Sequence, residues 1–490
     1  MEKIRDYSNL TLGSNIDENL RLIKDIFSKD TVLRSKRIGT GIGFSCIVLY
    51  FDGMVNVELI NQAIVRPLVL AKNGNTAKSR EKFVAEDLLY AGEVKVISKV
   101  GDMLSGMLYG DSLLLIENCK NALVINTKGW RTRGISEPQD ERVLQGPREG
   151  FDEAAMFNLA LIRRKLLTPD FCSEMLRLGR RTDTVVFICY LDSLVDKGLL
   201  KELKKRLKKI DIDGILDTNY INELIRDRKG SLFKTSGTTE RPDIVAARLL
   251  EGRIAVIVDG TPVVMTLPYL FSENFQSDED YYINYKIASS ARIIRMVCFF
   301  LAVTVPAFFM ALVRFHFELL PTAFAISVAE SRGGVPFSAL SESLLLIFIF
   351  EILRETGLRM PQSVGHALSI VGGLVIGQAA VDAKIISAPM LIAVALAGIS
   401  GLMVPRLKAA VFYLRIIFVL LASVMGVFGI LIGWTITLIH ILSITSLGVS
   451  STISLSNPTS QGLKDVFYRS SWVKMRERPI FTRKNIVRKK

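Results

Sequence analysis

The sequence predicts a multi-domain chain, two cytoplasmic α/β subdomains followed by an α-helical transmembrane bundle. Three observations carry that expectation. A mean hydropathy of +0.33 coexists with a formal net charge of +14 over 490 residues, so the apolar and charged residues must belong to different parts of the chain. From Met1 to about Ser290 charged residues are dense and apolar runs short, punctuated by Gly, Asn and Asp as in soluble α/β domains. Between Arg295 and Arg314 lie eighteen uncharged residues, "MVCFFLAVTVPAFFMALV". At 1.5 Å per residue they make about 27 Å of helix, close to the thickness of a hydrocarbon core.

The first subdomain is expected over 1–130. "GFSCIVLYFDGMV" reads as a strand ending in a turn at Asp52-Gly53, and "NVELINQAIVRPLV" repeats apolar residues at helical spacing. "SLLLIEN" and "ALVINTKGW" flank a short polar turn and suggest a hairpin. A polar connector, 131–150, leads to the second subdomain, 151–290. There a helix is expected at 152–166, two strands in "EMLRLGRRTDTVVFICYLD", and an amphipathic helix in "KGLLKELKKRLKKI". "PDIVAARLLEGRIAVIVDGTPVVMTLP" reads as helix, strand, an Asp259-Gly260 turn and strand, whereas "FKTSGTTERP" (233–242) reads as a flexible loop. The transmembrane domain, with re-entrant segments allowed, is expected over 291–445, and a basic cytoplasmic tail over 446–490.

Catalytic chemistry finds no support. Gly39, Gly41 and Gly43 resemble a phosphate-binding loop but precede a strand instead of joining strand to helix, so they fail the context such a loop requires. The three histidines, His316, His366 and His440, lie far apart in the apolar half. No metal cluster or histidine-based relay can be assembled from them. Cys46, Cys119, Cys172, Cys189 and Cys298 form no pair at metal-ligand spacing, and an odd, scattered set is expected to be reduced and mostly buried. The expectation is a chain that is not an enzyme, with no cofactor and no metal. In the basic helix at Lys201–Lys209, lysines alternate with leucines at helical spacing, which reads as a solvated face and not as a nucleic-acid surface.

The N-terminus has no apolar signal segment, so the soluble part is expected to stay in the cytoplasm. The last 27 residues carry ten Lys and Arg, and the positive-inside rule keeps such a tail there too. Both ends on one side require an even number of spans. Five apolar candidates stand at 296–313, 336–353, 364–381, 385–404 and 411–442. The last would be about 48 Å long as one helix, and Gly426, Gly429 and Gly433 offer places to divide it. The preferred count is four spans with re-entrant pieces, of which 319–329, too short to span, is one candidate. Gly373 with Gly377, and Gly429 with Gly433, form GxxxG patterns suited to close helix packing. Pro306 is expected to kink the first span.

"VAESRGGVPFSALSESLLLIFIFEILRETGLRMP" (328–361) sets charges into this apolar region. Pro336 suits the first turn of a helix. On that helix Glu351 can pair with Arg354 one turn on, with Glu330 and Arg332 near the other interface. Glu342 lies about 9 Å in from Pro336 and costs at least about 2–3 kcal/mol if it faces lipid. By spacing, Ser338, Ser341 and Glu342 share one face. Two readings stay open: a protonated or paired Glu342 that holds helices together, or a polar stripe lining an ion pathway.

"GPREGF" (146–151), "LLEGRIAVIVDGTPVVMTLP" (249–268), "NFQSDEDYY" (274–282) and the stretch 331–387 from "SRGGVPFSALSE" to "DAKIIS" resemble the A subunits of the GerA-type nutrient germinant receptors of endospore-forming bacteria. The resemblance covers about residues 30–440. It implies a multi-pass subunit of the spore inner membrane that works with a transporter-like B subunit and a lipoprotein C subunit. It further implies a homo-oligomer, a pentamer, forming a nutrient-gated channel for monovalent cations, in contact with membrane lipid and no nucleic acid. A non-conducting scaffold subunit and a paralogous accessory spore ion channel are the alternatives. "RETGLRMPQSVGHALSIVGG" leans toward the receptor subunit.

Overall fold

A computed structural model describes residues 7, 10–72, 79–129, 138, 141, 143, 145–359, 375, 377–453, 462–478 and 487–488. Two five-stranded antiparallel sheets come first. In the first, β1 (Leu33–Gly39), β2 (Ser45–Phe51), β3 (Val94–Ile97), β4 (Ser112–Ile116) and β5 (Ala122–Ile125) take the order β1-β2-β4-β5-β3. In the second, β6 (Phe171–Leu178), β7 (Thr184–Leu191), β8 (Gly237–Thr239), β9 (Ile254–Val258) and β10 (Val264–Leu267) take the order β6-β7-β9-β10-β8. The orders are the same: two hairpins pair through β2 with β4 and β7 with β9, and the single strand between them in sequence closes one edge. The chain therefore repeats one architecture twice.

Period-two alternation divides each central strand between two cores. Ile47, Leu49 and Phe51 of β2, with Phe187, Cys189 and Leu191 of β7, face one shared core. It is filled by α1 (Ile16–Ile26), α5 (Val100–Leu108), α6 (Ala155–Lys165) and α9 (Pro242–Leu250). Cys46 and Val48 face an outer core under α2 (Val57–Ile60) and α3 (Arg66–Leu70); the short α4 (Arg80–Phe83) follows these in the chain. Val186, Ile188 and Tyr190 face another under α7 (Lys197–Leu207) and α8 (Thr218–Ile225). α7 buries Leu200, Leu203 and Leu207 on that core.

Between the two sheets the Arg163 guanidinium meets Asp30 at 2.5 Å, both side chains 1% exposed. It lies 4.2 Å from the Phe51 ring centroid and 5.0 Å from that of Phe171. Ser173 Oγ donates to the other Asp30 oxygen at 2.8 Å. One buried ion pair thus ties α6 to the segment entering β1.

Three edge strands depart from the sequence reading. The stretch 233–242, expected as a flexible loop, contains β8, and β1 and β3 are strands that period-two hydropathy does not reveal. Their side chains explain why: in β1 only Ile38 is buried, and the two middle residues of β3 are exposed. Gly41 is structural, because a Cβ there would stand 2.2 Å from the Ala71 carbonyl oxygen at the end of α3.

The C-terminal region is helical. α10 (Tyr285–Phe315) is followed by α11 (Thr322–Arg332), α12 (Ala339–Arg359), α13 (Ala388–Leu402) and α14 (Lys408–Leu442). Among the described residues, two helical runs are long and apolar enough to cross a membrane, Tyr285–Phe315 and Pro405–Leu442. The second is not one rod. Gly426 has φ +58° and ψ −139°, outside helical space, and the Phe418 and Trp434 ring centroids are 5.1 Å apart. Sixteen residues of straight helix would separate them by about 24 Å. The chain therefore folds back at Gly426 into two antiparallel arms, 408–425 and 427–442. Gly429 and Gly433 sit where the arms cross: an added Cβ would stand 2.3 Å from Leu421 O and 3.1 Å from the Phe418 ring.

The ends of these helices fix their directions. The end of α10, at Phe315 and His316, lies beside Gly426 at the hairpin tip. Arg406 and His440, at the feet of the hairpin, bond to Asp278 and Ser231 on the second-domain side. Lys408 pairs with Glu355, so α12 also ends at the feet. Among the described residues the chain thus runs the length of the region along α10, α12, α13 and both arms, and the split of the 411–442 run supplies two of these passages. Most of the expected 364–381 segment lies outside the described residues.

Candidate functional site

The polar residues embedded in the apolar region fall into three groups. The first lies at the start of α12. Glu342 is fully buried and accepts hydrogen bonds from Ser387 N at 2.6 Å and Ser387 Oγ at 2.5 Å. Ser387 is the N-cap of α13. A carboxylate there satisfies an N-terminal donor and sits at the positive end of the helix dipole. Its second oxygen is 3.4 Å from Arg332 Nη1, at the end of α11, and no hydrogen-bond donor reaches it among the described residues. Glu342 therefore joins α11, α12 and α13 within one chain.

Ser338 and Ser341 do not share its face. Both are exposed, their hydroxyls 2.9 Å apart, and Ser338 Oγ accepts from Ser341 N at 3.2 Å. The helix begins at Ala339, three residues after Pro336, so Ser338 is a capping residue outside the helical periodicity that was to align the three. Glu330 is exposed on α11. Gly377 stands in ordinary contact distance of Leu391, and Gly373 lies outside the described residues.

The second group is nearer the feet. Glu351 and Arg354 pair one turn apart on α12. Arg415 of α14, 2% exposed, donates from Nε to Ala302 O at 2.8 Å and from Nη2 to Ala397 O at 2.9 Å. Sequence reading passed over Arg415 because it counted 411–442 as a single apolar run. The signal was available, a lone arginine seven residues after Lys408.

The third group joins the helices to the second domain. Asp280, fully buried, accepts from Arg292 Nε at 3.1 Å and from Arg295 at 2.8 and 2.9 Å. Asp465 of the tail accepts from Arg292 at 2.8 Å. Glu273 meets Arg248 and Arg253 at 2.5 Å each. Burial raises the pKa of both buried carboxyls, but the arginines outweigh it and hold Glu273 and Asp280 below the usual carboxylate range. The packing here is reciprocal. Phe233 of the second domain enters the core of the helical region, and Leu447, just past α14, enters the outer core of the second domain. No cluster of three or more His, Cys, Asp or Glu suited to a metal occurs among the described residues. Cys46, Cys119, Cys172 and Cys189 are buried free thiols, and Cys298 is half-buried.

Comparisons place this arrangement among known chains. The model of the family described as Bacillus/Clostridium GerA spore germination protein matches residues 17–481. The chain is 39% identical over 471 residues to Spore germination protein KA of Bacillus subtilis (strain 168), covering 96% of this chain and 86% of that one. It is 35% identical over 484 residues to a protein of the same organism named uncharacterized membrane protein YfkQ, covering 98% and 93%. The crystal structure of the N-terminal domain of the A subunit of the Bacillus megaterium spore germinant receptor GerK3 is 33% identical, with a TM-score of 0.43, and covers 53% of this chain and 97% of that one. With two sheet domains, a helical region and a family match over nearly its whole length, the chain belongs to the GerA spore germination protein family.

Proposed function

We propose that this chain is the A subunit of a spore germinant receptor and acts in the spore inner membrane as one copy of an oligomeric, nutrient-gated channel for monovalent cations. The observation that carries this reading is the family match over 17–481 in a chain with a large apolar helical region. Ile392, Ile399, Val424, Phe428 and Ile439 are all more than 59% exposed on its helices, as lipid-facing or subunit-facing side chains would be. In this reading an even number of passages keeps the two sheet domains and the basic tail together on the cytoplasmic side. A transporter-like B subunit and a lipoprotein C subunit are the partners, and several copies, five by the family resemblance, surround the pathway. Glu330, Ser338 and Ser341 are exposed polar groups near the far end and are the pathway candidates of this chain.

The burial of Glu342 against Ser387 and Arg332 of the same chain favours a second reading, a non-conducting scaffold subunit, because it removes a carboxylate from the candidate pathway. Reconstitution separates the two. The protein, with its partner subunits, is placed in liposomes loaded with potassium, and oligomeric state and nutrient-dependent efflux are measured. An oligomer with nutrient-dependent efflux is expected. A monomer, or an assembled receptor whose efflux is unchanged when this chain is replaced by Ser338→Lys and Ser341→Lys variants, would overturn the channel reading.

A further inference from the structure

Pro306 stands in the interior of α10 and has no N–H, so the Ala302 carbonyl four residues earlier loses its intrahelical donor. That carbonyl is the one Arg415 Nε reaches at 2.8 Å from the neighbouring helix. Ala302 is fully buried, so water cannot replace the missing donor, and an unmet carbonyl there is costly. The same guanidinium reaches Ala397 O on α13 at 2.9 Å, so one side chain spans three helices. Gly401 leaves room for it, since an added Cβ would stand 3.3 Å from Arg415 Nη2.

Glu351 and Arg354 lie within electrostatic reach of Arg415, and Glu351 is occupied by Arg354 one turn away. In this arrangement Arg415 is held by backbone carbonyls and not by a carboxylate. A lysine lacks the planar fork that serves both carbonyls at once. α10 is also the helix that leaves the second domain, through the Asp280–Arg292–Arg295 group.

We infer that Arg415 is the positioning residue of a proline hinge in α10. It locks the helix at the proline by supplying the donor that Pro306 removed. Its release from the Ala302 carbonyl frees α10 to bend at Pro306, which couples movement of the second domain to opening of the channel. The coupling to opening rests on the channel reading above; the lock does not.

A double-mutant cycle on the full chain in nanodiscs tests the lock by thermal unfolding. Arg415→Met is expected to lower the unfolding temperature of the parent. In a Pro306→Ala background, where residue 306 regains an N–H for Ala302, at least half of that loss should vanish. An equal loss in both backgrounds overturns the inference. Should Arg415→Met not fold, Arg415→Lys takes its place, with hydrogen exchange at amides 307–310 as a second readout. About tenfold faster exchange is expected in the proline background only, and unchanged exchange overturns the lock. Arg415→Lys in the potassium liposomes should leak at least about threefold more than the parent without nutrient. A coupled cycle with unchanged leak, in a parent that conducts, overturns the gating role. A parent that does not conduct overturns the channel reading and leaves the lock standing.

Discussion

Replacing Glu342 tests whether the carboxylate in the apolar region holds helices together. Its two hydrogen bonds from Ser387 are charge-assisted and fully buried. Bonds to charged groups contribute about 1.5–3 kcal/mol each and neutral ones about 0.5–1.5. Glu342→Gln keeps an oxygen for Ser387 but loses the charge and the attraction of Arg332, so a destabilisation of about 2–3 kcal/mol is expected. Glu342→Ala leaves the Ser387 N–H without an acceptor and Arg332 without its partner, for a loss of about 3–5 kcal/mol. At about 2–4 °C per kcal/mol for a unit of this size, Gln should lower the unfolding temperature by about 4–12 °C. The assay is thermal unfolding of the full chain in nanodiscs, with Ser338→Ala as control. Ser338 is exposed, and its replacement should cost no more than about 0.5 kcal/mol. A Glu342→Gln protein that melts with the parent, or a Ser338→Ala protein that loses as much, would refute the reasoning.

Gly426→Ala forces a Cβ onto φ +58°, ψ −139° and brings it to 3.1 Å from His316 Nε2. A loss of about 1–3 kcal/mol is expected, read as a lower unfolding temperature with intact sheet domains by circular dichroism. Arg163→Met leaves the Asp30 carboxylate buried and unpaired, for a loss of about 3–5 kcal/mol, whereas Arg163→Met with Asp30→Leu should recover most of it. Hydrogen exchange of the β2 and β7 amides would report both. Acid should loosen the joint between the second domain and the helices. Asp280 and Glu273 titrate lower in the folded chain than unfolded, so their stabilisation is complete above the ordinary carboxylate pKa of about 4 and is lost as pH falls through their lower folded values. Proteolysis of the linker near Asn284 should therefore be as slow at pH 5 as at pH 7 and accelerate below about pH 4, and Asp280→Asn should blunt that acceleration.

Much of the fold was legible because local patterns and burial agreed. The β4–β5 hairpin, the β9–β10 hairpin at Asp259-Gly260 and the helix over 155–165 combine apolar runs with turn residues at their ends. The edge strands β1 and β3 were illegible for the opposite reason: each pairs on one side and buries little, so its residues carry no alternation to read. β8 is a mostly buried Gly-Thr-Thr with no apolar residue to signal it. The shared strand order of the two domains leaves no trace in hydropathy either, because it is a matter of which hairpin meets which.

The candidate site divides in the same way. Glu342, Glu351 and Arg354 stood out because a charge in an apolar run is costly wherever it points. Spacing alone could not say which way Glu342 faces, and it wrongly aligned Ser338 with a helix that begins one residue later. The length of the 411–442 run required a break, since no bilayer accommodates about 48 Å of helix, and Gly426 was among its candidates. That the arms fold back to pack Gly433 on Phe418 is a tertiary fact. So is the meeting of the Ala302 carbonyl with Arg415. By itself the sequence determined that one carbonyl in α10 lacks a donor and that one arginine lies in an apolar run. Only packing could bring together two residues 113 positions apart, because hydrogen bonds depend on a few tenths of an ångström and not on order along the chain.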